Sequence, residues 1–131
     1  MSEQSREELV RREFDRWNAG EREIDPQVLH HDLVLHSQMT NATYHGHDGM
    51  RRYIAEIDDQ FEDWRLSIDE FRDAPEGRLL ALGALHLRGR GSGVEFDQPV
   101  AWLLTFAGNQ VTEVRAIADR AQALEAAGLS E

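Results

Sequence analysis

Residues 43–49 read TYHGHDG, which puts two histidines, a tyrosine and an aspartate within seven positions. In a strand His45 and His47 would project to one side, and Asp48 would add an oxygen donor. That is the raw material of a metal site or of acid–base chemistry. The spacing supplies no third convergent ligand, so no metal is expected there. Absences narrow the rest. There is no cysteine, which excludes disulfides, thiolate nucleophiles and thiolate metal sites. All 14 basic residues are arginine, so a Schiff-base lysine, a covalent pyridoxal phosphate and a Walker lysine are excluded as well. GRGSG at 89–93 lacks the dinucleotide spacing and a following helix. Catalysis, if any, falls to His, Asp, Glu, Tyr, Ser or water, with no cofactor.

The elements that would position such residues fit one domain over 1–131. A chain of 131 residues with 40% apolar content can bury a core and still enclose a pocket. Acids outnumber bases 25 to 14, giving a net charge of −11, which argues against nucleic acid and against an anionic membrane surface. No apolar run approaches the roughly 20 residues of a membrane span. The charged start, MSEQSREELVRREF, does not read as a signal peptide, so a cytoplasmic protein is expected.

Ser5 and Glu8 have capping-box spacing. Val10, Phe14 and Trp17 then recur on one helical face, with Glu7–Arg11 and Glu8–Arg12 spaced for ion pairs on the other. DPQVLHH at 25–31 reads as a short second helix led by Pro26. LVLHSQ at 33–38 reads as a strand, and Met50, Tyr53, Ile54, Ile57 and Phe61 mark a further helix. The period then switches to two at Trp64, Leu66 and Ile68. Turns at APEG, GSG and AGNQ divide the remainder into a meander of long strands. Asp119 with Gln122 opens a last helix, which Gly128 and Leu129 close. The order implies α+β: a curved antiparallel sheet with helices on its concave side.

Several segments together resemble the SnoaL-like, polyketide cyclase-like branch of the nuclear transport factor 2-like superfamily. They are FDRWNAGE, DLVLH, YHGHDGMRRY, RGRGSGVE and DRAQALEAAGL, and the resemblance spans nearly the whole chain. It implies a cone with an apolar pocket on its concave side. It also implies that YHGHDG is the tight turn before a helix, with Gly46 in the turn, Asp48 at the helix N-terminus, and His45 and His47 exposed.

The resemblance also sets the strand phase. His36 stands where steroid isomerases of the superfamily carry their catalytic aspartate. Trp102 replaces their oxyanion-stabilising aspartic acid, and Glu13 falls near their tyrosine. The Asp-Arg-Asp set of the epoxide-hydrolase branch is absent: Arg115 matches its arginine, but Ala116 stands where its aspartate would be. In this phase Val34, His36, Leu85, Leu87, Val100, Trp102, Leu104, Val114, Ala116 and Ala118 face the pocket, with Trp17 and Tyr53 at its mouth. A hairpin shifted by one would bring in His86 instead of Leu85. His36 is the candidate base, against the alternative of a hydrogen-bonded core histidine. Asp119 matches an aspartate that the cyclase branch is thought to use in proton movement, against the alternative of a helix cap.

Leu80, Leu82, Ala84, Ala101, Leu103 and Ile117 fall on the outer sheet face, alongside Arg88, Arg90 and Arg115. An apolar face needs cover, and the family's habits imply a homodimer through it. Two functions stay open. One is a cofactor-free proton-transfer enzyme (isomerase, cyclase or dehydratase type) on an apolar carbonyl compound. The other is a non-catalytic binder of a small apolar ligand.

Overall fold

The computed structural model describes residues 3–130, with side chains from Arg6 onward. Helix α1 spans Glu3–Asn18. It begins before Ser5, whose side chain, and with it the capping box, lies outside the described residues. Strand β1 (Leu29–Ser37) and strand β2 (Ala42–His45) follow, then helix α2 (Gly46–Gln60). The meander is β3 (Phe61–Ala74), β4 (Arg78–Gly89), β5 (Glu95–Ala107) and β6 (Gln110–Ile117), closed by helix α3 (Arg120–Ala127). No described helix is long and apolar enough to cross a membrane.

The six strands form one curved sheet in the order β2-β1-β6-β5-β4-β3. It is mixed, not antiparallel throughout, because β1 runs parallel to β6. A parallel neighbour requires a long crossover, and here α2 with β3–β5 supplies it. The segment expected as a second helix is a turn that runs straight into β1. Val28 is already buried and its carbonyl accepts from Val111 N at 2.7 Å, so pairing with β6 overrides the helix-start signal of Asp25-Pro26.

The inner face carries the main core. Leu33 and Leu35 of β1, Leu79, Ala81, Leu85 and Leu87 of β4, and Val100, Trp102 and Leu104 of β5 all point there. Helix α1 crosses this face, and Phe14 meets Trp102 edge to face at 5.0 Å. Asn18 grips the outermost strand, donating to Leu66 O and accepting from Leu66 N, each at 2.8 Å. Those bonds occupy backbone groups that an edge strand otherwise leaves open. Neither expected ion pair on α1 forms among the described residues; Arg11 lies instead over the Phe71 ring at 4.9 Å.

The outer face has its own cover. Ala123, Leu124 and Ala127 of α3 pack against Leu80, Leu82, Ala101, Leu103 and Ile117. The cover expected from a second copy comes, for these residues, from the chain's last helix. Helix α3 is held at both ends. Asp119 Oδ1 accepts from Gln122 N at 3.0 Å. Gly128 (φ 76°) closes the other end, and Leu129 N donates to Leu124 O at 2.8 Å. Asp119→Ala is expected to cost about 1 kcal/mol, the usual value of a lost N-cap, read as a shift in denaturant midpoint with unchanged slope. A loss under ~0.3 kcal/mol would mean the cap does not hold α3.

Candidate functional site

Between α1, α2 and the inner sheet face lies a cavity of about 110 Å³. Its wall is almost wholly apolar and includes Val10, Phe14, Leu35, Met50, Trp64 and Val111. Of the residues expected there, Trp17, Tyr53, Leu85, Trp102, Leu104 and Val114 line it. Leu85 is inside and His86 outside, which fixes the hairpin phase. Leu87, Val100 and Ala116 share the inner core but do not reach the cavity. Ala118 lies past the end of β6, where its N–H donates to Gln38 Oε1 at 2.9 Å.

Strand β1 corrects the expected phase. The parallel ladder sets Leu35 beside Val114 and His36 beside Arg115. Leu35 therefore faces the cavity, while Val34 and His36 face the other way. His36 is half-exposed in a polar groove with Thr43, Arg115 and Gln122. Its Nδ1 lies 3.2 Å from Thr43 Oγ1 and its Nε2 3.5 Å from Glu113 Oε2. The alternation of Leu33 and Leu35 already carried this phase. The match of His36 to the isomerases' base implies the opposite phase.

Four polar side chains touch the cavity: Glu13, Arg16, Asp25 and Tyr53. Arg16 pairs with Glu13 and with Glu21. These hydrogen bonds, led by Glu21, hold the Arg16 guanidinium above its usual range. Asp25 Oδ1 accepts from Gln27 N at 2.9 Å. Glu13, Arg16 and Asp25 are partly exposed and mark the solvent side. Tyr53 is the inner polar group, only 9% exposed, rather than a residue of the mouth. Burial raises its pKa, opposed by the Ser37 hydroxyl, which donates to the phenol oxygen over a long 3.5 Å. The Tyr53 proton is therefore kept through neutral pH and remains free to donate. Tyr44, edge to face with Tyr53 at 5.0 Å, is committed elsewhere: it hydrogen-bonds to Glu56 at 2.6 Å and Thr40 at 2.9 Å. Its pKa is raised by burial and by the Glu56 bond.

The opening motif spans the end of β2 and the first turn of α2, and the chain changes direction at Gly46. Gly46 adopts φ 68°, and a Cβ there would lie 3.1 Å from His31 O. Asp48, in the first turn of α2, pairs with Arg51 at 2.7 Å. His45 is exposed as expected. His47 is half-buried, with Nε2 2.7 Å from Leu29 O, so it ties α2 to β1. Among the described residues one group of three has potential metal ligands within 4.8 Å of one another, His30, His31 and Asp32. His30 Nδ1 already accepts from Asp32 N at 3.0 Å. Asp119 is exposed and engaged in capping, away from the cavity lining.

An unclosed, curved mixed sheet with helices α1 and α2 across its inner face is a cone-shaped α+β fold. The SnoaL-like domain family matches residues 10–114, and the chain belongs to that family. An NTF2-like protein of unknown function from Burkholderia pseudomallei is similar in structure, with TM-score 0.78, 20% identity and coverage of 97% of this chain and 98% of that one. A putative SnoaL-like polyketide cyclase from Jannaschia is similar too, with TM-score 0.75, 22% identity and coverage of 100% and 98%. TerC, co-crystallised with polyporic acid, has TM-score 0.76, 17% identity and coverage of 92% and 95%. No curated protein matches the sequence.

Proposed function

We propose that this protein binds a small, mainly apolar carbonyl compound in the cavity beneath α1, without catalysing its conversion. The observation that carries the reading is the arrangement around Tyr53. One buried phenol donor, its oxygen already accepting from Ser37, stands on the inner, apolar part of the wall, with Glu13, Arg16 and Asp25 confined to the solvent side. That is the usual composition of a ligand site. The cavity volume of about 110 Å³ limits the ligand to about one ring, since an engineered cavity of about 150 Å³ holds benzene. The SnoaL-like domain and the similarity to putative SnoaL-like polyketide cyclases support binding of a small molecule.

Proton transfer has less support. Its expected base, His36, is across β1 from the cavity. Of the carboxylates that line it, Glu13 is tied to Arg16 and Asp25 to the Gln27 N–H.

Acetophenone is a suitable probe. Calorimetric titration is expected to show saturable binding that Tyr53→Phe weakens about tenfold, one hydrogen bond's worth. Val10→Phe, which fills the cavity from α1, is expected to abolish binding with the fold intact by circular dichroism. Unchanged affinity in Val10→Phe would place the ligand elsewhere. In D₂O the methyl protons of bound acetophenone should exchange no faster than background. Faster exchange, lost in His36→Ala, would make the protein an enzyme and return His36 to the chemistry.

A further inference from the structure

On the outer face, away from the cavity, three adjacent strands bring together Ser67 of β3, His86 of β4 and Asp97 of β5. Ser67 Oγ is 2.9 Å from His86 Nε2. His86 Nδ1 is 2.7 Å from Asp97 Oδ1. An ionised carboxylate only accepts, so Nδ1 must carry a proton. In the neutral ring Nε2 is then the acceptor, and Ser67 donates to it. This is the tautomer a general base needs to take a serine proton, with the carboxylate orienting the ring.

Two features of the surroundings bear on chemistry. A groove of about 260 Å³ runs beside His86 and Asp97 and includes Arg65. Arg65 is the direct cross-strand partner of His86, which puts both side chains on one face. It is exposed and makes no ion pair or hydrogen bond with another described residue. The neighbouring Arg88, by contrast, is surrounded by Glu62, Asp63 and Glu95. Ser67 also sits just before an irregularity in β3, between Ile68 and Glu70. Such bulges re-aim side chains.

We propose that Ser67, His86 and Asp97 form an acyl-transfer site that hydrolyses small carboxylic esters, with Arg65 facing the developing oxyanion. Ser67 Oγ attacks the ester carbonyl as its proton passes to His86 Nε2. The tetrahedral adduct, its oxyanion beside the Arg65 guanidinium, collapses by breaking the bond to the alkoxy oxygen. That oxygen takes the proton from His86 and leaves as the alcohol. Water then attacks the acyl-serine, giving its proton to His86. Collapse of the second adduct returns that proton to Ser67 and releases the carboxylic acid. Asp97 acts through His86 and is a positioning residue. This site does not depend on the cavity reading.

The test combines covalent labelling with turnover. A fluorophosphonate should add once to the wild type, with the mass increase mapped to Ser67, and p-nitrophenyl acetate should be hydrolysed. Ser67→Ala should abolish the label and lower hydrolysis at least tenfold. His86→Gln should slow both by a similar factor. Arg65→Gln, a change at an exposed residue, should lower kcat with little effect on KM. Circular dichroism of each variant establishes that it folds. Absence of labelling in the wild type, labelling that persists in Ser67→Ala, or equal hydrolysis by wild type and Ser67→Ala would each overturn the proposal. The three residues would then be a structural hydrogen-bonded ladder.

Discussion

Gly83→Ala is expected to destabilise the protein by about 3 kcal/mol or more, at or beyond the upper end of ordinary overpacking. An alanine Cβ at this position would lie 1.8 Å from Ser67 O, 2.8 Å from Ser67 C and 3.0 Å from Ile68 Cα. All three are backbone atoms of β3, so no side chain can rotate away. Either β3 separates from β4 or both strands bend. A glycine inside a strand often marks such a close approach, and here it coincides with the irregularity after Ile68. Guanidinium unfolding measures the effect: the midpoint should fall with the slope retained, and the melting temperature should drop by roughly 10 °C for a chain of this length. A change within ~0.5 kcal/mol would mean that the two strands do not approach as described. The same substitution moves Ser67 relative to His86, so in a folded Gly83→Ala protein the labelling of Ser67 should also slow.

Leu124→Asp is expected to release α3 from the sheet. Leu124 is 2% exposed and packs in a cluster with Leu80, Leu82 and Leu103. The buried side chains of that cluster are all apolar and offer a carboxylate no compensating charge or hydrogen bond. Burying it should cost more than ~4 kcal/mol, a large part of the ~5–15 kcal/mol that holds a domain of this kind together. Undocking α3 relieves the penalty by moving the charge into water, and it uncovers the apolar outer face. Light scattering should then show association beyond the wild-type mass, together with a large loss of stability. Leu124→Ala should cost about 2–5 kcal/mol through the cavity it leaves, without driving association to the same extent. A Leu124→Asp protein with wild-type mass and stability would show that α3 is not docked there.

Much of the architecture was legible because side-chain period reports directly on burial. The change from the stripe of Met50, Tyr53 and Ile57 to the alternation of Trp64, Leu66 and Ile68 marks the passage from α2 to β3. With the phase implied by the resemblance, the alternation in β4, β5 and β6 puts Leu85, Trp102, Leu104 and Val114 on the inner face, where they line the cavity. The end of the chain was legible for a local reason: Asp119 and Gly128 act on backbone groups within a few residues of themselves. Strand β2 was not read, since its four residues are too few to establish a period. The start of β1 was misread because Asp25-Pro26 is a true local turn and helix-start signal, and only the distant β6 overrides it.

The sequence by itself determined the class of fold, the family, the absence of thiol and lysine chemistry, and the apolar character of the pocket. The fold class and the excluded chemistries follow from composition, short-range periodicity and capping, which involve near neighbours along the chain; the family and the apolar pocket follow from the resemblance of whole segments to a known family. Tertiary structure alone decided the parallel pairing of β1 with β6, the placement of His36 outside the cavity, and the cavity's size. It also decided that α3 covers the outer face and that Ser67, His86 and Asp97 meet. Each of these depends on register between strands distant in sequence. A shift of one residue there exchanges the faces of a whole strand while leaving its local pattern unchanged.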